Sequence, residues 1–263
     1  MQSKSINELD MFKSGPTETF ITPSGQELTI RERNGDDEDI LSRVRDNKDG
    51  TAVNKFVAAI SVNPKLTELE VKQLPVRDKY YTVLKSRIQS LGNILTFPHI
   101  FEKGDKTPVS FDVDLSEYLW DFSNPEFPKP GDANYFQYRC KPYPKEIATN
   151  PEFEFVLSSG KIVKMKYLTG VGESKALGKN YNDLTINDRF RLRDFKLKGN
   201  SGEWIPMENF KIFTARELTE MRVRVEEFDA PFEMLHDLTS PATGLTETIS
   251  LIQLESFFFP MTL

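Results

Sequence analysis

A pattern that occurs twice, 135 residues apart, limits what this chain can fold into more than any other feature. Residues 21–41 read ITPSGQELTIRERNGDDEDIL and residues 156–176 read VLSSGKIVKMKYLTGVGESKA. Ser24 aligns with Ser159, Gly25 with Gly160, Gly35 with Gly170 and Glu38 with Glu173. Each copy reads as a strand, a Ser-Gly turn, a second strand, a short turn ending in Gly, and the acidic start of a helix. Neither copy carries a set of groups that does chemistry, so the duplication speaks first for architecture. The expected class is α+β: duplicated hairpin-plus-helix units with an aromatic, Pro-rich insert between them.

The organisation follows from where patterns start and stop. Residues 1–19 form a polar arm with sparse apolar residues, Ile6, Leu9, Met11 and Phe12, either frayed or ordered against a partner. The first unit spans 20–92. In it DDED at 36–39 suits a helix first turn, where acidic side chains meet free amides and the positive dipole end. The same cluster lacks the alternating ligand spacing and closing Glu of a calcium loop. Val53, Phe56, Val57 and Ile60 place a helix over 52–62, ended by Pro64. Residues 76–91, VRDKYYTVLKSRIQSL, form the clearest helix, entered by Pro75 and closed by Gly92. Its stripe is Tyr80, Tyr81, Leu84, Ile88 and Leu91, which leaves Asp78, Lys85 and Arg87 to the solvated side.

Aromatics and prolines dominate 93–152. The alternation from Val109 to Leu115 marks one strand there, and the rest is irregular. Tyr118, Trp120, Phe122 and Phe127 are candidate interface anchors, with packing on the core as the equal alternative. A second unit spans 153–245, where Thr214 and Glu217 make a capping box for a helix with the stripe Leu218, Met221, Val225 and Phe228. The last segment, 246–263, is apolar. Phe257, Phe258 and Phe259 cannot all face one way in a strand; the segment is expected to pack on its own domain or on another subunit, with the three rings, and Phe12, as candidate inter-subunit anchors.

Charge and composition exclude several functions. A net charge of -6 disfavours a broad basic face for nucleic acid, and RLRDFKLKG at 191–199 reads as an extended segment with one solvated side. No apolar run approaches the ~20 residues that span a bilayer, and residues 1–15 contain no apolar signal core. One cysteine, Cys140, excludes an intrachain disulfide and a multi-cysteine zinc site. The two histidines, His99 and His236, have no metal-ligand spacing; His236 is expected at a helix end. A Cys140–His99 nucleophile pair lacks any local signature, and Gly170-Val171-Gly172 lacks the Lys-Ser/Thr element of a phosphate loop. No catalytic residue, metal site or cofactor site emerges, and the chain reads as a non-enzyme.

The order of elements resembles the baseplate hub family of T-even-like contractile-tailed bacteriophages. The family's turn into the first helix, TG-x-x-E, is matched by Thr169-Gly170-Val171-Gly172-Glu173, and by Asn34-Gly35-Asp36-Asp37-Glu38 with Asn for Thr. The helix from Asp78 to Arg87, ending Ser90-Leu91-Gly92, is similar to the family's D-R/K-x7-R-x-x-S-x-G segment. Relatives often carry paired cysteines after that helix; this chain has only Cys140, so no metal role is carried over. The resemblance implies a structural baseplate subunit, made and assembled in the host cytoplasm and located in the virion tail. Its implied partners are other baseplate proteins, the central hub protein and the C-terminus of the tape-measure protein. A transient assembly chaperone is the alternative.

Overall fold

The computed structural model describes residues 15–42, 50–103, 106–119, 152–177, 186–229, 232 and 234–259. The fold is α+β, built from small antiparallel sheets and helices around two hydrophobic cores.

The first unit opens with a hairpin, β1 (Thr17–Ile21) and β2 (Glu27–Arg31), followed by α1 (Gly35–Leu41), α2 (Thr51–Ile60) and β3 (Ser61–Asn63), which pairs with β2. Then come α3 (Glu68–Gln73), α4 (Val76–Leu91), the hairpin β4 (Ile94–His99) and β5 (Val109–Asp114), and a 3-10 turn at Leu115–Tyr118. The second unit repeats this order: β6 (Glu152–Val156), β7 (Ile162–Lys166), α5 (Gly170–Leu177), α6 (Ile186–Arg191) and β8 (Lys196–Lys198). A short strand β9 (Trp204–Pro206) stands where the first unit has α3. It leads to α7 (Ala215–Asp229), the hairpin β10 (Leu235–Thr239) and β11 (Thr246–Ser250), and a 3-10 turn at Leu251–Gln253. A helical turn, α8 (Glu255–Phe258), follows.

The duplication is therefore larger than the sequence repeat. From β1 to β3 the two units keep a constant offset of 135, so that Thr17 matches Glu152, Gly35 matches Gly170 and Ser61 matches Lys196. The long helices start 139 apart, at Val76 and Ala215. The two later hairpins also correspond. Thr96 opposes and bonds Asp112 at 2.6 Å in one, and Asp237 opposes and bonds Thr248 at 2.6 Å in the other. The residues have exchanged sides of one cross-strand pair.

The shared turn explains why Gly recurs. Gly25 and Gly160 have φ of 85° and 83°, a left-handed conformation open to glycine. Their amides donate to Thr22 and Leu157 carbonyls, both at 2.8 Å. Leu28 and Ile30 in one unit and Val163 and Met165 in the other then point inward.

Several expectations need correction. Strand β1 begins at Thr17, inside the expected arm. Residues 94–118, placed with the insert, contribute Leu95, Phe97, Val113 and Leu115 to the first core. The C-terminal hairpin of the second unit also leaves its own core: Phe232, Met234, Leu238 and Leu251 pack in the first. The second core closes instead on phenylalanines, with Phe190, Phe195 and Phe210 rings 4.9–5.6 Å apart. His236 lies on strand β10, not at a helix end. On α4, Asp78 and Arg87 are buried. Arg87 turns back to donate to the carbonyls of Gly92 and Ile94, at 2.8 and 3.4 Å, satisfying chain just beyond the helix end.

Candidate functional site

The first turn of α4 carries three consecutive buried charges, Arg77, Asp78 and Lys79. Each has a separate partner because the helix start is surrounded. The Ser-Gly turn of β1–β2 lies on one side: the Ser24 amide donates to Asp78 at 2.9 Å, the Ser24 hydroxyl bonds the same carboxylate, and Thr22 Oγ1 donates at 3.2 Å. Burial pushes the Asp78 carboxyl up to about 6, against the lowering effect of these bonds and of Arg77. The second unit repeats the device at Glu217, which lies 139 residues on. Ser159 Oγ donates to Glu217 at 2.5 Å and Lys161 Nζ at 2.9 Å, while Thr214 completes the expected capping box. These hydrogen bonds hold Glu217 down to about 2.

Lys79 faces the second unit and pairs with Glu173 on α5; the Tyr80 hydroxyl donates to the same carboxylate at 2.7 Å. Burial, then Glu173, pushes the Tyr80 phenol well above its ordinary value. Beside them Arg193 and the Leu168 amide donate to Asp229 at 2.7 and 2.9 Å, and Arg77 donates to the Phe228 carbonyl at 2.7 Å. Backbone joins backbone across the seam, with a bridge at Pro75–Thr169 and Val76 N donating to Leu168 O at 2.8 Å. A Cβ on Gly170 would come within 2.9 Å of the Lys72 carbonyl oxygen, and one on Gly172 within 2.5 Å of the Leu192 carbonyl oxygen. The G-V-G run thus serves close approach of chain to chain. Glu173, which accepts from Lys79 and Tyr80, and Arg77, which donates to the Phe228 carbonyl, clamp the units together, while Asp78 and Asp229 each accept from groups of their own unit beside the seam.

An open, mostly apolar groove of about 430 Å³ lies at the surface of the first core, between Leu41, Val53, Val83, Phe232, Ile252 and Phe259. It is the concave apolar feature most suited to a protein segment. Its wall is built by the C-terminus: Leu251 buries, α8 turns, and Phe257 and Phe258 enter the core with 0% and 9% exposure. Phe259 stays half-buried at the groove. Of the three interface candidates at this end, Phe257 is taken into the core, whereas Phe258 and Phe259 both line the groove and Phe259 is the more exposed. A helical turn, not a strand, separates the three rings.

Tyr118 is also in the core; its hydroxyl donates to the Leu235 carbonyl at 3.0 Å and lies 2.8 Å from His236 Nδ1. Phe12, Trp120, Phe122, Phe127 and Cys140 lie outside the described residues. His99 is 3.0 Å from Glu247 and stands edge-on to Phe101, with centroids 4.9 Å apart, which ties the two late hairpins together. Among the described residues no three His, Cys, Asp or Glu side chains form a metal-ligand group. No helix among them is long and apolar enough to cross a membrane. The seam escaped the sequence reading because its charges sit beside an apolar stripe and look solvated; their first-turn positions, Arg77-Asp78 matching Arg216-Glu217, were the available signal. Comparison of the chain with family models, curated proteins and solved structures finds no match.

Proposed function

We propose that this chain is a structural subunit of a contractile-tail baseplate, joining other subunits at or near the central hub. The observation that carries the reading is the C-terminal groove: an apolar trough, edged by Phe259, on a scaffold that holds buried ion pairs. Such a surface loses water on docking and suits an apolar segment of a hub or tape-measure protein. The order of elements that resembles the hub family supports the same role. A transient assembly chaperone would use the groove in the same way and then depart.

Purified tails and their assembly intermediates separate the two. A structural subunit is present in finished tails in fixed copy number, with the groove filled in cryo-electron density. A chaperone occurs in intermediates alone. Ile252→Glu, in the groove wall, should abolish incorporation while the far-UV circular dichroism stays unchanged. Full incorporation of this variant would remove the groove from the assembly contact.

A further inference from the structure

The two units share a scaffold, so each serves as a control for the other. What the fold requires is common to both, and what one unit carries alone answers to something else. The outer face of the sheet β6–β9 is such a feature. Val163, Met165 and Leu197 turn inward, which sends Lys164, Lys166, Lys196 and Lys198 to the other face. Lys164 and Lys196 stand directly opposite one another, a like-charge pair that costs stability. Glu152, 3.5 Å from Lys164 and 2.8 Å from Lys196, offsets this in part. At an offset of 135 the first unit holds Thr29, Arg31, Ser61 and Asn63; a register shift turns Ser61 inward opposite Ile30, and Arg31 is taken up by Asp37. The fold therefore does without the lysines. Beside this face opens a cleft of about 870 Å³, where Arg191 and Lys211 join Lys166 and Lys196 against the acids Asp194 and Glu208.

The late hairpins have the opposite character. Strands β4, β5, β10 and β11 contain no Lys or Arg, and the exposed Lys103 and Lys106 are set apart in the loop between β4 and β5, where Lys106 donates to the Phe101 and Glu102 carbonyls. Their outer faces expose Asp112 and Asp237, with Glu117 exposed just beyond β5. Residues 230–263 hold four acidic side chains and no Lys or Arg.

We propose that the lysine face of the second unit is a docking surface for a second copy of this chain, whose late hairpins supply the acidic counterpart. Charge complementarity of this kind sets orientation and register. The two patches are different surfaces of one molecule, so the contact is heterologous and generates a ring or a filament. A phosphate polymer fits less well. Glu152, Asp194 and Glu208 interrupt the basic surface, and the Lys164 ammonium lies over the Trp204 ring at 4.2 Å, where a base would stack. Self-association is independent of which particle the chain enters.

Sedimentation velocity on the full chain tests this with two variants, K166E/K198E/K211E on the basic face and D112K/E117K/D237K on the acidic one. Circular dichroism verifies that both fold. The wild type should form concentration-dependent oligomers at about 50 mM salt that dissociate at about 500 mM, where screening is strong. Each variant alone should be monomeric. An equimolar mixture of the neutral variants K166Q/K198Q/K211Q and D112N/E117Q/D237N should give a 1:1 dimer and nothing larger, because one charged patch of each kind remains on different partners. If the basic-face variant misfolds, the neutral K166Q/K198Q/K211Q should weaken association at least about tenfold. A monomeric wild type at low salt, variants that still associate alone, or a mixture without dimer each overturns the proposal. A wild type that stays monomeric but retards a single-stranded oligonucleotide assigns the face to nucleic acid instead.

Discussion

At the residue scale, one device appears twice with opposite electrostatics. Asp78 and Glu217 are both buried and each holds a Ser-Gly turn by accepting several hydrogen bonds, but burial outweighs the donors at Asp78, whereas the donors, Lys161 among them, prevail at Glu217. Asp78, raised to about 6, favours the fold most in its protonated form. Its contribution is greatest below about pH 4 and is lost as pH rises through 6. Chemical denaturation of wild type and Asp78→Asn should give a stability difference that moves against the wild type between pH 4 and 7; a flat difference rejects the assignment. Glu217, held near 2, has the reverse sign. Its contribution is present above the ordinary carboxylate range and lost as pH falls towards 2, so Glu217→Gln should flatten the acid limb. The Lys79–Glu173 pair tests the seam. Glu173→Gln leaves a fully buried ammonium without its counter-charge and should cost about 3–5 kcal/mol in urea unfolding, whereas K79M/E173L recovers most of that loss.

At the element scale, the C-terminal turn α8 decides how the last residues are used. Leu254 precedes it, and its helical geometry drives Phe257 and Phe258 into the first core while Phe259 remains at the groove. Phe257→Ala should therefore destabilise the fold by about 3–5 kcal/mol, measured as a lower urea midpoint with unchanged slope. Removal of residues 257–263 should unfold the first core; a truncated chain that stays native and loses only assembly would return these rings to an interface role. The hairpins β4–β5 and β10–β11 are each two-stranded and too small to stand alone. They gain stability by sharing the first core and by the His99–Glu247 contact.

At the scale of the whole molecule, the two units are alike in order and unequal in closure. The second core finishes within 153–228 on its own phenylalanines, while the first is completed by residues from Phe232 onward. Deleting 232–263 should erase hydrogen-exchange protection in β1–β5 and leave it in β6–β8. Simultaneous loss in both units would show that the seam, not the cores, sets cooperativity.

Much of this was written locally. The repeat, the Ser-Gly turns, the acidic start of α1, the span of α4, the strand at 109–114 and the Thr214–Glu217 cap all rest on neighbours in sequence, through backbone conformation, capping and periodicity. What tertiary structure decided was which charges are buried and which apolar residues are free. Asp78, Lys79 and Arg87 look solvated along their helix; the Ser-Gly turn takes up Asp78, the second unit takes up Lys79, and the chain entering β4 takes up Arg87. Phe257 and Phe258 look like anchors until a turn folds them inward. The groove too has walls from α1, α2, α4 and the C-terminus, so no single stretch of sequence could announce it. Local physics specified the elements; burial belongs to pairs of elements, and was settled where they meet.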